Sequence, residues 1–195
     1  MNFKENFVLE DRMVLIKPLT FKDFKGLNEV ALDPDIWKYM PLTEIKTTED
    51  LHEYIKKARK QRKEATRYPF VIFNKTENKI AGSTSYGNVS IIDKRLEIGW
   101  TWLGKQFQGS GINKHCKFLL LQYAFETLCF ERVELKTDAL NLQSRKAMLK
   151  IGAIEEGILR SHTLMNGGRR RDTIYYSILK NEWPALKETI FKDIK

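Results

Sequence analysis

The sequence is poor in cysteine. Two thiols, Cys116 and Cys129, among 195 residues form no framework of bridges and fit no metal-ligand spacing, so both are expected to stay reduced and no metal is expected. No run of 18 apolar residues occurs, which excludes a membrane-spanning helix. The opening MNFKENFVLEDR holds no apolar signal core, so the expected compartment is the cytoplasm. Five prolines and eleven glycines fall in no repeat, linker or low-complexity tract. Collagen-like and disordered classes are thereby set aside, and a single domain over residues 1–195 is the simplest organisation.

What is present suits a globular fold. Apolar residues make up 42% and aromatics 11%, and a chain of this length buries roughly 70% of its unfolded surface. The formal net charge of +9 points to an anionic partner without naming one.

The pattern along the chain alternates strands and helices. Met13 to Leu19 reads as a first strand, and Thr20 with Asp23 as a capping box opening a helix to about Ala31. Thr47 with Asp50 opens a second helix, in which Leu51, Tyr54, Ile55 and Ala58 share one face. Phe70–Phe73 and Ile80–Tyr86 read as strands. Arg95–Leu103 is the clearest strand: Leu96, Ile98, Trp100 and Trp102 are expected on one face, with Arg95, Glu97, Gly99 and Thr101 on the other. A helix follows from about Gly111 to Leu128, then a strand around Val133–Thr137, then a helix capped by Asn141 and ending at Gly152. Ile154–Leu164 and Thr173–Leu179 flank Asn166-Gly167 as a hairpin, and Pro184 starts a last short helix. Seven strands interleaved with helices predict a mixed α/β (α+β) sheet, not a bundle or sandwich.

The informative segment is Glu97 to Ile112, EIGWTWLGKQFQGSGI. A strand ends, Gly109 and Gly111 mark a loop, and a helix begins at once. Glycines let backbone N–H groups approach a ligand closely, and the helix N-terminus adds partial positive charge suited to a phosphate. Lys105, Lys114 and Lys117 are expected to strengthen that field. Gly-x-Gly before a helix is by itself equally an ordinary tight turn. It is neither a Rossmann fingerprint, since position 114 is Lys114, nor a Walker loop, since no Gly-Lys-Ser/Thr ends it. A second element is Asn141-Leu-Gln-Ser144, followed by Lys150-Ile-Gly152 and then Glu156-Gly-Ile-Leu-Arg160. Capping alone would account for Asn141.

Together these elements resemble the GNAT acetyltransferases, and within them the group that includes ribosomal-protein N-terminal acetyltransferases. The family's Gln/Arg-x-x-Gly-x-Gly/Ala signature is met by Gln106, Gly109 and Gly111. The later Asn-x-x-Ser, Lys-x-Gly and Glu-Gly-x-Leu-Arg pattern is met from Asn141 to Arg160, and Arg171-Asp172 and Tyr176-Ser177 agree as well. The likeness runs from Arg12 to Trp183.

The resemblance implies a largely antiparallel seven-stranded sheet that splays between its fourth and fifth strands, here Arg95–Leu103 and Arg132–Asp138. It implies acetyl-CoA as co-substrate, with the pantetheine arm lying in the gap. A bulge near Gly99, Trp100 and Thr101 would free backbone N–H groups to hold that arm and polarise the thioester carbonyl. The amides of Gln108, Gly109, Ser110, Gly111, Ile112 and Asn113, with Gln106, would wrap the pyrophosphate. Asn141 and Ser144 would contact the arm from the later helix. A primary amine would attack the acetyl carbon directly, with no covalent enzyme intermediate.

Two departures matter. Many relatives carry, seven residues after the asparagine, a tyrosine that protonates the departing thiolate; this chain has Met148. Ser144, one turn into the helix, is the substitute that the resemblance suggests, against a plain role near the cap. His115 stands where relatives commonly carry glutamate and is expected to be exposed. Glu97 is the best-placed carboxylate for the base, pointing away from the tryptophan face, with a solvated pair to Arg95 or Lys136 as the bland alternative. His162 and Asp172 are weaker candidates.

Lys56 to Lys63 and Arg169 to Arg171 are basic runs that read as solvated faces. The rival is a non-enzymatic RNA- or ribosome-binding module on the same fold, with strongly salt-dependent affinity. The expected partners are acetyl-CoA and an amine acceptor, as a monomer or homodimer, without membrane and with nucleic acid only through ribosome contact. Trp37, Met40 and Pro41 belong to the segment that shapes the acceptor pocket in this fold, and they do not separate a protein N-terminus from a small amine.

Overall fold

A computed structural model describes residues 1–41 and 44–194. Eight strands form one sheet in the order β1-β2-β3-β4-β5-β6-β8-β7: β1 Leu9–Glu10, β2 Val14–Pro18, β3 Arg67–Asn74, β4 Lys79–Ser90, β5 Arg95–Leu103, β6 Arg132–Asp138, β7 Ile154–Leu164 and β8 Arg170–Leu179. The strand beyond the seven expected is β1, two residues that pair with Leu15 and Ile16 of β2. Every neighbouring pair is antiparallel except β5 with β6.

The helices form where the sequence places their caps. Asp23 Oδ2 accepts from the backbone N–H and the hydroxyl of Thr20 at the start of the turn leading into α1, Phe24–Ala31. Thr47 and Asp50 exchange backbone N–H to side-chain bonds of 2.9 and 3.1 Å ahead of α2, Thr48–Lys63. Gly111, at φ +92°, precedes α3, Ile112–Gln122, which continues as one wide turn through Tyr123–Thr127. Asn141 Oδ1 accepts from the Ser144 N–H at the start of α4, Leu142–Lys150, and Pro184 lies in the first turn of α5, Trp183–Thr189.

Strand pairing sorts the core into two layers. Ile16, Ile72, Phe70, Tyr68, Tyr86 and Ile98 share one face across paired positions. There α3 covers them, with the Tyr86 hydroxyl donating to the Leu120 carbonyl. Arg67, Ser83 and Ser85 share the other face under α2, through Tyr54. Directly opposed positions share a face because side chains alternate along each strand.

Candidate active site

The sheet divides where the sequence resemblance implies it should. β5 and β6 pair in parallel at Arg95 with Arg132, Leu96 with Val133 and Glu97 with Glu134, and no further. Beyond Glu97 the two strands part, while β6 stays paired along its whole length with β8. The edge of β5 from Ile98 to Leu103 therefore faces a gap.

At that fork β5 is bulged. Ser85 of β4 pairs with Gly99 and Ser83 with Trp102, so two steps on β4 match three on β5. Trp100 takes up the extra residue at φ +51°, a left-handed conformation that costs free energy in a side-chain-bearing residue. The bulge corrects the expected alternation. Leu96 and Ile98 share one face as predicted, but past Trp100 the register inverts. Trp102 lies on Glu97's face, where its indole N–H donates to the Tyr54 hydroxyl at 3.2 Å. The Trp100 ring stacks with Arg67, whose guanidinium carbon is 4.9 Å from the ring centroid, and crosses β4 at Gly87. Thr101 instead faces α3. Glu97 is thus on the tryptophan side of the sheet, not opposite it.

Glu97 is 3% exposed. Its Oε2 accepts from Asn88 Nδ2 at 2.6 Å and pairs with Lys136 Nζ at 2.8 Å. The pairing with Lys136 is as foreseen, but the carboxylate is buried rather than solvated. Oε1 lies over Gly99, 2.6 Å from where a Cβ would be. Glu97 lines a polar cleft of about 470 Å³ with Asn88, Arg95, Glu134, Lys136 and Tyr175.

The loop after β5 has the form a phosphate needs. Gly109 has φ +76° with nothing within 4 Å of its missing side chain. Gly104, Phe107 and Gln108 bond their N–H groups within the chain, as do Lys114 and His115. Among the described residues the N–H groups of Gly109, Ser110, Gly111, Ile112 and Asn113 find no acceptor. Five neighbouring free donors at a helix start fit a pyrophosphate. Gln106 is exposed on the approach. Gln108 donates to the Leu103 carbonyl and accepts from Gln143 of α4 at 3.1 Å, so the gap is bridged at its mouth. Asn141 is committed to capping α4, and the half-buried Ser144 has no hydroxyl partner among the described residues.

Of the lysines expected to strengthen the phosphate field, only Lys114 has no side-chain partner among the described residues. Lys105 pairs with Asp33 and Asp35 at 3.5 and 3.1 Å. Lys117 is buried, its Nζ 2.9 Å from Thr101 Oγ1. Burial lowers its pKa to about 8, only partly offset by Cys116 and the Glu97 carboxylate. His115 is likewise buried, against the expectation of exposure: Nδ1 stands 2.6 Å from Asp11 Oδ2. Neither burial is visible in the local sequence, because both partners lie at least 16 residues away.

The weaker candidates are both hydrogen-bonded within the hairpin: His162 bonds Thr173 Oγ1 at 3.0 Å, and Asp172 accepts from the Ser161 N–H. Arg171, which the sequence places only in a motif, is buried on the Glu97 side, donating to Thr173 Oγ1 and the Tyr39 carbonyl. The basic runs are partly spent on the fold: Arg62 donates to the Phe3 and Glu5 carbonyls, Arg59 lies over the Phe21 ring, and Arg169 pairs with buried Asp138. Among the described residues no helix is long and apolar enough to cross a membrane.

Comparison with known proteins agrees with this fold. Residues 13–154 match the family described as Acetyltransferase (GNAT) domain. Over 111 residues the chain is 36% identical to a Bacillus subtilis protein named "Putative ribosomal N-acetyltransferase YdaF", covering 57% of this chain and 60% of that one. Over 113 residues it is 27% identical to the Escherichia coli ribosomal-protein-serine acetyltransferase, covering 58% and 62%. The matches thus span about three fifths of each relative's length. A crystal structure of a GCN5-related N-acetyltransferase from Brucella melitensis superposes with a TM-score of 0.91 at 27% identity, covering 98% of this chain and 86% of that one.

Proposed function

The chain belongs to the GNAT acetyltransferases, and on that premise we propose that it transfers the acetyl group of acetyl-CoA to a primary amine by direct attack, a protein N-terminus being the acceptor. The observation that carries the reading is the fork itself. A buried carboxylate, Glu97, a bulged strand and an open strand edge meet at one point, and the five free loop amides lie beyond the far end of β5.

On this reading Gly109 to Asn113 bind the pyrophosphate, with Gln106 and Gln108 beside them. Gly99, Trp100 and Thr101 present bulge amides to the pantetheine arm and the thioester carbonyl. Asn141 and Ser144 contact the arm from α4. Acetyl-CoA supplies the activated acyl group, and the protein's contribution is placement and proton handling.

The acceptor sets the proton problem. An α-amine has a pKa near 7.7–8.0 and a lysine amine near 10.4, and only the neutral amine attacks. Glu97 Oε1, the oxygen not held by Asn88 or Lys136, takes the proton directly or through one water. An α-amine needs less help than a side-chain amine, which accords with an N-terminal acceptor. The names of the two relatives, a putative ribosomal N-acetyltransferase and a ribosomal-protein-serine acetyltransferase, point to a ribosomal component as the acceptor. The free thiols of Cys116 and Cys129 suit a reducing, cytoplasmic setting.

The test is amine-dependent release of CoA from acetyl-CoA, run against peptides with free N-termini, the same peptides with blocked N-termini, and small amines. Turnover with the free peptides alone is expected. Turnover confined to small amines would overturn the N-terminal reading, and none with any amine would overturn acetyl transfer.

A further inference from the structure

We propose that Lys117 is the acid that protonates the sulfur of departing CoA, because its ammonium ends at the strand residue that adjoins the bulge. The inference rests on the acetyl-CoA reading above.

On that reading the free amides of Gly109 to Asn113 take the pyrophosphate, and the bulge at Gly99–Trp100 takes the thioester. Lys117 lies five residues into α3, about 7.5 Å along the axis from its first residue. From there its side chain reaches β5, where Nζ donates to Thr101 Oγ1 at 2.9 Å. Thr101 directly follows Trp100 and in turn bonds Thr84 Oγ1 at 2.8 Å.

An ammonium has three N–H donors, and Thr101 is the one acceptor Lys117 has among the described residues. A buried cation with spare donors and no paired carboxylate is costly unless it serves a ligand. The titratable groups that act on it are few. Cys116 beside it on α3 is held protonated by burial, with its pKa pushed up to about 12, and Glu97 acts from the other face of the sheet. With a pKa of about 8, Lys117 is matched to a thiol near 8.5. The Ser144 hydroxyl is a far weaker acid and can only donate a hydrogen bond to the sulfur.

The step balances. The amine nitrogen bonds the acetyl carbon and loses one proton to Glu97. The carbon–sulfur bond breaks with its electron pair on sulfur. Lys117 gives one proton to that sulfur, leaving CoA as the thiol, the amide product and a neutral Lys117; Glu97 returns its proton to solvent and Lys117 regains one from solvent as the products leave.

The test is the thiol titration of enzyme-bound CoA, read by thiolate ultraviolet absorbance against desulfo-CoA. In the wild type the bound thiol is expected to titrate about threefold more acidic than in free CoA, which brings it level with Lys117 at about 8. In Lys117→Met that shift should vanish and kcat should fall about 100-fold, with desulfo-CoA affinity unchanged. Lys117→Arg should keep the shifted thiol yet lose turnover, since a guanidinium does not release its proton. A bound thiol that titrates as in free CoA in the wild type, or identically in wild type and Lys117→Arg with full turnover in both, would overturn the assignment. Wild-type protein that binds neither CoA nor desulfo-CoA would overturn the acetyl-CoA reading itself.

Discussion

Glu97 curls its carboxylate over Gly99, so that Oε1 sits 2.6 Å from the point where a side chain on Gly99 would begin. The glycine is needed for space rather than for its backbone, because it does not lie in the left-handed region. The proposed base and the proposed oxyanion strand thus share one volume, and a single methyl group decides between them.

Gly99→Ala is therefore expected to displace the Glu97 carboxylate from its place between Asn88 and Lys136. Misplacing a catalytic group by about 1 Å costs on the order of 100-fold, so kcat/KM for the amine should fall by about 10- to 100-fold. CoA affinity, measured by calorimetry, should stay within about twofold, since the loop amides are untouched. A loss of CoA binding equal to the loss of rate would show that the strand itself, not the carboxylate, was disturbed.

Glu97→Gln keeps the shape and removes the charge. The variant should lose kcat/KM at neutral pH by about 10²-fold or more, and the deficit should shrink as pH rises and free amine accumulates. Rate profiles that run parallel at a constant offset would assign Glu97 to positioning alone.

Lys117 makes an opposite demand on stability. Its folded pKa of about 8 lies below the usual 10.5, so the charged form is penalised by folding. Below pH 8 the ammonium is charged in both states and the penalty is fully present. It fades as pH rises from about 8 to 10.5 and is gone above both values. A depression of this size corresponds to about 3 kcal/mol. Lys117→Met should therefore raise the thermal midpoint at neutral pH and flatten the rise of stability at alkaline pH, while activity falls. A destabilisation of equal size at every pH would mark Lys117 as a packing residue.

Much of this was readable from local sequence, and the failures have one cause. The capping pairs Thr20–Asp23 and Thr47–Asp50, the Asn141 cap and the Asn166-Gly167 hairpin act over a few residues, so they were legible. The bulge near Gly99–Trp100 was implied by the family resemblance, but its consequence was not. Period-two alternation put Trp102 with Leu96, whereas the extra residue at Trp100 turns Trp102 toward Tyr54. Lys117 and His115 lie on a helix whose burial depends on partners 16 and 104 residues away, Thr101 and Asp11. Their polar side chains read as surface residues until the sheet brings those partners to them.

The central claim is that the loop from Gly109 to Asn113 holds the pyrophosphate of acetyl-CoA, and calorimetric titration with CoA of the wild type and of Gly109→Asp tests it most directly. Space is open around the missing Gly109 side chain, and a non-glycine residue at φ +76° costs only about 1 kcal/mol, so the variant should fold. Its carboxylate would face the phosphates. The account predicts measurable CoA binding by the wild type and at least about a tenfold loss, near 1.4 kcal/mol, in Gly109→Asp. Equal affinity in the two proteins, with both folded, would contradict it.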